Sequence, residues 1–383
     1  MAQQVLDAAV VGGGPVGMYL GALLAHRGLN IQVLEQRTSP VRHSRAIGIH
    51  PPSLESFDGV GLSGPVLSEG VRINRGFLRS EGRTFGGLSF DGVSPAHPYI
   101  VSLPQHRTEA LLATRLEQLL PGSLRRGVEV DGLQQDADGV RLRMASQNGR
   151  GELRARMVIG ADGGNSFVRA AAGIGARTRN HRDRYLMGDF ADDTGDGPDA
   201  VIWLEPEGVV ESFPLPDRRR RWVVHVEESR AEPAADVLSG MIDARTGVSV
   251  DPASNSMLSA FGVRTRTAGR MVAGRVALVG DSAHQVSPIG GQGMNLGWLD
   301  AAELAPIVAG SAVAGAPERA ALARFQARRM RSASIAARMA QLNMAMGRPV
   351  QGLRLCARDL LLHGLLTDAP RAALARAYSM RWL

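Results

Sequence analysis

The stretch Val10-Val11-Gly12-Gly13-Gly14-Pro15-Val16-Gly17 decides the fold of this chain. The apolar run at 5–11 predicts a buried parallel strand, and residues 16–27 predict a helix. Residues 31–34 predict a second strand, and Glu35 stands at its end. A strand, a glycine turn, a helix and a strand that ends in an acid together predict a Rossmann-like unit that binds a dinucleotide.

Each residue type in this unit has a physical role in holding a dinucleotide. Gly12 permits the tight turn, Gly14 lets the backbone approach the pyrophosphate at the positive end of the helix, and Gly17 lets the helix pack on the strand. Glu35 can accept hydrogen bonds from both ribose hydroxyls, and an acid there disfavours a 2′-phosphate. The pattern therefore indicates FAD or NAD, not NADP, at this position.

Glycine spacing alone would not support this interpretation, because the chain has 46 glycines among 383 residues. Residues 59–64 match the same GxGxxG spacing. No predicted strand precedes them and Pro65 follows, so a loop is predicted there. The first match is supported by its strand, its helix and its acid.

A second motif, Gly160-Ala161-Asp162-Gly163, follows predicted strands at 128–130, 140–144 and 157–159. Turn residues at 131–132 and 138–139 separate those strands. Asp162 at a strand end can approach a ribose, or it can cap the helix that begins near Ser166. Both roles remain open from the sequence.

A third motif begins at Gly280-Asp281, which closes a predicted buried strand at 275–279. Asp281 can bond a ribityl hydroxyl. The turn at 290–293 leads into a predicted helix at 294–304, whose first backbone N–H groups can face an electron-rich flavin edge. For His284, packing or capping is favoured over a role as general base. The three motifs together indicate one FAD gripped by distant segments.

These segments, together with Ser44-Arg45-Ala46 and Leu103-Pro104-Gln105-His106-Arg107, resemble the flavin-dependent aromatic hydroxylases typified by p-hydroxybenzoate hydroxylase. The resemblance covers about residues 5–50, 100–175 and 262–380. It implies an α/β fold with a Rossmann-like FAD-binding domain, an inserted, mainly antiparallel β-sheet substrate domain and a C-terminal helical layer.

The resemblance also assigns residues to the cofactor. Arg45 matches an arginine that reaches FAD, Gln105 a glutamine near the flavin's sugar-alcohol chain, and Asp281 the ribityl-binding aspartate. The full set expected at the cofactor is Gly12, Gly14, Pro15, Val16, Gly17, Glu35, Gln36, Arg37, Arg45, Gln105, Val130, Asp162, Gly163, Asp281, Pro288, Gly293, Met294 and Asn295. No catalytic residue is assigned, and the loop expected beside the isoalloxazine ring contains Pro288, Gly290, Gly291, Gly293, Met294 and Asn295.

The implied activity is that of a single-component FAD monooxygenase. NADPH or NADH would reduce the flavin, O2 would add to form a C4a-hydroperoxide, and an aromatic or polycyclic, polyketide-like substrate would be hydroxylated. The alternatives are a reductase of prenyl or polyene double bonds, an epoxidase or Baeyer–Villiger oxygenase, and a non-catalytic flavin-binding protein. The family's two substrate-side tyrosines have no identifiable match, so a tyrosine relay is not expected, and the W-x-W-x-I-P signature of halogenases is absent.

The substrate region is expected in segments that carry no nucleotide motif. Strands predicted at 185–190, 201–204, 209–213 and 222–226 indicate an inserted antiparallel sheet. Candidate substrate contacts are Met187, Trp203, Phe213, Trp222 and His225, although each of these types is more often plain core. Residues 76–97, with Phe77, Phe85 and Phe90, would add a second wall. The expected domains are 1–75, 98–178 and 262–316 for FAD, 76–97 and 179–261 for the substrate, and 317–383 for the helical region.

Composition narrows the remaining possibilities. The chain carries 44 basic and 37 acidic residues, and every basic residue is arginine, which excludes lysine Schiff-base chemistry and a P-loop. Residues 218–221 are four arginines, interpreted as a solvated hairpin turn and not as a nucleic-acid patch. The single Cys356 lies in an apolar helical stretch and is expected to be buried and inert.

Targeting and assembly are predicted from what the sequence lacks. The sequence has no uninterrupted apolar window of about 18 residues, so no membrane span is predicted. The N-terminus fits a strand better than a signal peptide. The cytoplasm is the expected location. A monomer or a homodimer is expected, with a small aromatic substrate, O2 and NAD(P)H as partners, no nucleic acid and no metal.

Overall fold

The structure is a computed structural model that describes residues 5–40, 45–227 and 233–382. Its strands are, in chain order, β1 (Leu6–Val11), β2 (Ile31–Glu35), β3 (Gly48–Ile49), β4 (Val71–Ile73), β5 (Arg75–Ser80), β6 (Arg83–Ser89), β7 (Ile100–Ser102), β8 (Leu124–Arg126), β9 (Val128–Gln135), β10 (Val140–Ser146), β11 (Gly149–Gly160), β12 (Ala176–Ala191), β13 (Ala200–Glu205), β14 (Gly208–Leu215), β15 (Arg219–Val226), β16 (Met257–Ala268), β17 (Val272–Ala273), β18 (Val276–Leu278) and β19 (His284–Gln285). Its helices are α1 (Pro15–His26), α2 (Pro51–Asp58), α3 (Ser63–Glu69), α4 (Gln105–Leu119), α5 (Phe167–Ala171), α6 (Ala235–Thr246), α7 (Gln292–Ala314), α8 (Arg319–Met346), α9 (Leu353–Leu365) and α10 (Asp368–Tyr378).

The first sheet contains the glycine stretch. Its strand order is β17-β18-β11-β1-β2-β8, and β10 and β9 extend it from β11. Strand β1 pairs in parallel with both β11 and β2, so the ends of these three strands meet at one edge. Their residues are almost continuously apolar because both faces of a parallel sheet are covered. The three predicted motifs therefore follow neighbouring strands β1, β11 and β18.

The second sheet has the order β19-β16-β12-β15-β14-β13-β5-β6. It is antiparallel except for the parallel pair of β13 and β5. One face, here called the cavity face, carries Met187, Ile202 and Val223 and borders the large cavity described below. The opposite, outer face carries Trp203 and Trp222 and packs against helix α6. A third, small sheet has the order β3-β7-β4.

Helices α8, α9 and α10 form the C-terminal layer and reach the cavity through residues such as Met339, Leu362 and Tyr378. Helix α7 begins at Gln292 and is longer than the predicted 294–304. By length and composition alone, α7 is the one helix among the described residues that could cross a membrane, and half of its apolar stretch is buried inside the protein. The expected absence of a membrane span therefore stays a prediction.

The arginine run differs from its prediction as a solvated turn. The hairpin turn ends at Arg218, and the other three arginines belong to β15. Arg220 and Arg221 are buried, and they pair with Asp192 at 3.0 Å and Asp189 at 2.7 Å. The prediction was wrong because these acids lie about thirty residues earlier in the chain, where charge patterning along β15 does not reveal them.

Three smaller predictions also differ from the structure. Residues 131–132 lie inside β9 and form no turn between separate strands. Helix α3 begins at Ser63, so the predicted loop at 59–64 becomes helical before it ends. Cys356 is exposed, as is Leu353 on the same helix α9, so the apolar spacing of this helix does not indicate burial.

Candidate functional site

A single large cavity of about 1210 Å³ connects the glycine stretch with the cavity face of the second sheet. Gly12, Gly14 and Glu35 border one end, and Asp281 with the turn before α7 borders its middle. The other end lies between the second sheet and helices α8, α9 and α10. The volume exceeds the 300–1,000 Å³ that is usual for one ligand pocket, so there is room for an extended cofactor and a second molecule.

The glycine stretch has the geometry of a dinucleotide-binding turn. Gly12 has a φ of 108°, and a Cβ there would lie 2.3 Å from the carbonyl oxygen of Ala161. A Cβ on Gly17 would lie 1.8 Å from the carbonyl oxygen of Gly12, so helix α1 approaches β1 more closely than any side chain allows. No protein atom lies within 4 Å of an ideal Cβ on Gly14, which opens to the cavity at the start of α1.

Glu35 lies at the end of β2 and is only 3% exposed. Its carboxylate accepts hydrogen bonds from the backbone N–H of Gly13 at 2.7 Å and of Arg37 at 2.9 Å. The Arg37 guanidinium also donates to it at 2.8 Å. Burial opposes ionisation, but these donors outweigh it and hold the pKa of Glu35 below its usual range. The carboxylate is therefore ionised and fixed before any ligand binds.

Five other predicted residues line the same end of the cavity. Gln36 follows β2, and Val130 on β9 contributes an apolar wall. Gln105 begins α4 and donates to the carboxylate of Glu109 at 2.8 Å, which orients its amide. Pro15 and Val16 line the cavity at the start of α1. Val16 packs against Gly297, where an added Cβ would lie only 2.5 Å from a methyl group of Val16.

Asp162 acts as a helix cap in this structure and also lines the cavity. Its carboxylate accepts from the hydroxyl of Ser166 at 2.5 Å and from the backbone N–H of Val168 at 2.9 Å. Ser166 in turn accepts from the N–H of Arg169. Of the two roles that the sequence left open, the geometry displays the capping role. Gly163 lies beside it with a φ of 79°.

Asp281 faces the cavity in the short turn after β18. Loss of water around this carboxyl raises its pKa, and no described residue donates a hydrogen bond to it. Its neighbour His284 bonds to Asp300 at 2.6 Å, and Asp300 also accepts from the N–H of Gly280 at 2.9 Å and from Arg329 at 2.7 Å. His284 is therefore part of a buried ion-pair network that fixes the turn, as the packing role predicted.

The turn before α7 borders the middle of the cavity with Pro288, Gly290 and Gly291, and the first turn of α7 adds Gly293 and Met294. Gly290 and Gly291 have φ values of 93° and 65°, and they aim the N-terminus of α7 at the cavity. Asn295 lies elsewhere. It is fully buried, donates to the carbonyl oxygens of Gly48 and Gly291, and accepts from the N–H of His50. Its role is to hold the turn, so direct cofactor contact by its side chain is not supported.

Arg45 lines the cavity, and its guanidinium stacks over the ring of Phe261 at 5.0 Å. Ser44, which belongs to the same predicted segment, lies outside the described residues. Arg221 on the second sheet donates to the carbonyl oxygen of Arg45 at 2.6 Å and holds Asp189 through two hydrogen bonds. The sheet and the cofactor-side arginine are thereby joined.

Two of the five predicted substrate residues, Met187 and Phe213, border the cavity. Trp203 and Trp222 do not, because they lie on the outer face and stack on each other at 5.3 Å. His225 lies on β15 away from the cavity, against Tyr185. Strand register corrects the two tryptophans, since adjacent residues of a strand point to opposite faces. His225 is on the same face as the cavity residue Val223, but it lies further along β15, beyond the cavity lining. Phe77 and Phe90 border the cavity, and Phe85 does not.

The cavity also contains polar residues that sequence reasoning missed. Glu211 lies on the cavity face, Asn343 comes from α8, and Tyr378 from α10 donates to Asn343 at 3.3 Å. His50 borders the cavity beside Gly291, and burial lowers its pKa to about 4, so it is neutral near pH 7. An acid inside an otherwise apolar strand was the one available signal for Glu211, whereas Asn343 and Tyr378 carried none.

These residues fit FAD. The open backbone at Gly14 leaves space for a pyrophosphate at a helix N-terminus, and the fixed carboxylate of Glu35 lies where a ribose would be expected. Asp281 presents an acceptor to which no described residue donates, and a ribityl hydroxyl could supply that donor. The N-terminus of α7 faces the space where a flavin ring would lie.

A sequence model described as the FAD binding domain matches residues 5–340. Rifampicin monooxygenase of Streptomyces venezuelae is 36% identical over 82% of this chain and 66% of the relative. The anhydrotetracycline hydroxylase OxyS of Streptomyces rimosus is 29% identical, with a TM-score of 0.79 over 98% of this chain and 76% of its own. The p-nitrophenol 4-monooxygenase PnpA of Pseudomonas putida DLL-E4 is 23% identical and has the same fold, with a TM-score of 0.89 over 98% of both chains.

The chain spans 66% of the length of rifampicin monooxygenase and between 56% and 69% of the length of other curated relatives. The family match and the likeness of fold confirm the predicted α/β fold class with its FAD-binding domain, several sheets and C-terminal helices.

Proposed function

The chain belongs to the FAD-binding-domain family, with FAD as its cofactor, and on that premise we propose that it is an NAD(P)H-consuming monooxygenase of aromatic or polycyclic small molecules. The observation that carries this proposal is the continuity of one cavity from the glycine turn to the second sheet. A cofactor bound along the first sheet would reach a second molecule held against the cavity face without a barrier between them.

FAD, when bound, supplies the redox chemistry, because flavins accept a hydride from NAD(P)H and the reduced form reacts with O2. We assign to Gly14 and the N-terminus of α1 the binding of the pyrophosphate, and to Glu35 the binding of the ribose. Asp281 would orient the ribityl chain. The backbone N–H groups at the start of α7 would stabilise negative charge on the reduced ring.

The walls of the substrate end favour a flat apolar ligand. Ile202, Leu204, Val223 and Phe213 form the sheet side, and Leu362 with other apolar residues of the C-terminal helices forms the opposite side. These walls would exclude water from the reaction. The names of the relatives, which refer to rifampicin and anhydrotetracycline, support a polycyclic substrate.

The decisive experiment measures oxygen incorporation. Purified protein loaded with FAD is mixed with NADH or NADPH, oxygen-18-labelled O2 and a panel that includes rifampicin, anhydrotetracycline and p-nitrophenol. We expect consumption of NAD(P)H that depends on one substrate and a product that contains a single labelled oxygen atom. A reduced product without label would indicate hydride transfer to the substrate and would contradict the proposal.

A matched pair of variants tests the cofactor site. Gly14→Leu adds a side chain where no protein atom lies within 4 Å, so the fold should persist while the approach of the pyrophosphate is blocked. Gly64→Leu is the control, because Gly64 belongs to the second GxGxxG match, is equally unobstructed and does not line the cavity. We expect the first variant alone to lose bound flavin. Loss of flavin in both variants, or in neither, would contradict the assignment.

We propose that the chain is divided into an FAD-binding domain, a substrate domain and a C-terminal helical region. A monomeric or homodimeric state and a cytoplasmic location remain predictions. Gel filtration with light scattering would test the first of these.

A further inference from the structure

The carboxylate of Glu211 lies in the middle of the cavity face, among aliphatic side chains. Strand pairing aligns Leu78, Ile202, Glu211, Val223 and Met187 in a continuous row across β5, β13, β14, β15 and β12. All five residues border the cavity. The direct neighbours of Glu211 in this row are therefore the aliphatic side chains of Ile202 and Val223, and neither can donate a hydrogen bond.

Glu211 is only 8% exposed, and no described residue donates a hydrogen bond to it or forms an ion pair with it. Burial alone raises its pKa from 4.5 to about 7, with no compensating cation. A carboxylate in this position costs free energy that the folded protein does not recover by itself. A ligand in the cavity can supply the missing donor.

Asp281 also lacks a donor among the described residues, but its side chain is exposed within the cavity. Every buried carboxylate of the described chain other than Glu211 has a protein partner. The partners are Gly13 and Arg37 for Glu35, Gln105 for Glu109, Arg348 for Asp183, Arg221 for Asp189, Arg75 for Asp199, Glu81 for Glu205, and His284 with Arg329 for Asp300. Glu211 is the exception, and it is also the one that lies among aliphatic cavity residues. The exception therefore coincides with the expected ligand position.

The helical side of the cavity adds polar groups that face the same space as Glu211. Burial, and after it the charge of Glu211, raises the pKa of Tyr378 to about 12, so its hydroxyl stays protonated. That hydroxyl donates to Asn343, which also borders the cavity. A ligand held here would meet an acceptor on the sheet and an amide–hydroxyl pair on the helices, with apolar walls around both.

We propose that Glu211 is a specificity-determining residue that binds a hydroxyl or amino donor on the ring system of the substrate. This inference rests on the proposed function, because it takes the second sheet as the substrate wall. Glu211 selects a neutral or cationic donor and rejects an aromatic ligand that presents a carboxylate at the same position, because two buried anions repel each other. An ether of the same shape loses the hydrogen bond and leaves the carboxylate unpaired.

The test compares three probes on each of two ring systems. The probes are 2-naphthol, 2-methoxynaphthalene and 2-naphthoate, and 4-hydroxybiphenyl, 4-methoxybiphenyl and biphenyl-4-carboxylate. Equilibrium dialysis against oxidised, FAD-loaded protein at pH 8 gives the affinities. For at least one ring system, the wild type should bind the hydroxy probe roughly tenfold more tightly than the methoxy probe, as expected for a hydrogen bond to a charged group, and the carboxylate weakest.

The variant Glu211→Gln should lose most of this preference and bind the carboxylate probes better than the wild type does. Glu205→Gln is the matched control, because Glu205 is an equally buried acid of the same sheet that does not border the cavity. It should keep the wild-type preference. If the wild type prefers the hydroxy probe on neither ring system, or if Glu211→Gln keeps the preference, the inference is wrong.

A pH series provides an independent readout. The preference for hydroxy probes should increase as the pH rises through about 7, where Glu211 ionises. The other groups that face it do not titrate in this range, since Ile202, Val223 and Asn343 are not ionisable and burial raises the pKa of Tyr185 and Tyr378. A preference that is independent of pH would contradict the assignment to Glu211.

The probe measurements need neither NAD(P)H nor O2, so the two proposals can fail separately. A preference that depends on Glu211 in a protein that incorporates no labelled oxygen would contradict the proposed function alone. The opposite result is also possible: the protein incorporates labelled oxygen, and Glu211→Gln changes neither the choice of substrate nor the binding of the probes. That result would contradict the recognition role alone.

Discussion

The two ends of the cavity treat a buried glutamate in opposite ways. At the nucleotide end, Glu35 accepts hydrogen bonds from Gly13 and Arg37, and its pKa is held below the usual range. At the substrate end, Glu211 lies between Ile202 and Val223, no residue in the described part of the chain donates to it, and burial raises its pKa to about 7. The protein itself completes the first site, whereas the second is left for a ligand to complete.

This difference corresponds to two kinds of recognition. A resident cofactor is always the same molecule, so its site can be fixed in advance by backbone N–H groups and a paired acid. A substrate enters and leaves. An acceptor without a protein partner increases the affinity only of those molecules that carry a hydrogen-bond donor. Electrostatics therefore separates the two functions of one continuous cavity.

The largest expected effect is on stability against pH. The folded-state pKa of Glu211 is raised from 4.5 to about 7, so its carboxyl destabilises the fold increasingly as the pH rises between these values. Glu211→Gln should exceed the wild type in free energy of unfolding by up to ~3 kcal/mol at pH 8, and by almost nothing at pH 4. Urea denaturation at both pH values measures this.

Glu35→Gln should change the free energy of unfolding in the opposite direction in the same urea assay. Its folded-state pKa is lowered, so Glu35 stabilises the fold above its ordinary pKa, and this contribution is lost as the pH falls. The variant should be destabilised near pH 7 and should approach the wild type on acidification. If the unfolding free energies of the two variants changed with pH in the same way, the proposed difference between the two ends of the cavity would be wrong.

The next largest effect is on cofactor affinity. Glu35→Ala removes the acceptor expected at the ribose and leaves Gly13 and Arg37 without their partner. FAD should bind roughly a hundredfold more weakly, or by ~2.7 kcal/mol, as measured by flavin fluorescence titration. Glu211→Ala is the control and should retain the wild-type affinity for FAD. Similar losses in both variants would mean that the two ends do not act separately.

A smaller effect should separate the two faces of the second sheet. Trp222→Phe on the outer face shortens a fully buried side chain whose indole N–H has no hydrogen-bond partner among the described residues. We expect a loss of ~1–2 kcal/mol in unfolding free energy and unchanged binding of 2-naphthol. Phe213→Leu on the cavity face should instead weaken 2-naphthol several-fold with less effect on stability. A larger binding effect from Trp222→Phe would contradict the assignment of the faces.

The smallest effect concerns the donor to Glu35. The Arg37 side chain is 41% exposed, so water and salt screen its ion pair with Glu35. Arg37→Gln should lower the unfolding free energy by only ~0.5 kcal/mol, and less at high salt. A loss several times larger would mean that the guanidinium, not the backbone N–H groups, fixes the carboxylate.

The nucleotide end could be predicted because its signals are local. Gly12 needs a positive φ, Gly17 needs the absence of a side chain, and Glu35 ends a strand, and each of these is visible within a short segment. Neighbouring strand ends then brought Asp162 and Asp281 to the same edge of the first sheet, as their positions after predicted strands indicated.

The substrate end could not be predicted to the same depth. Both faces of the second sheet are buried, one by the cavity and one by α6, so apolar alternation does not say which face a residue occupies. This is why Trp203 and Trp222 were expected in the cavity and Glu211 was missed. Tyr378 comes from the last helix, more than 150 residues later in the chain, and only tertiary packing brings it there.

The contact between Arg221 and Arg45 limits how this architecture can be recombined. The guanidinium that holds Asp189 on the second sheet also donates to the backbone of the segment that carries Arg45. A sheet transplanted from a relative would keep this connection only if the arginine and its aspartate arrive together. Chimeras made to change substrate choice should therefore exchange Asp189 and Arg221 as a unit, and natural shuffling between such sequences faces the same constraint.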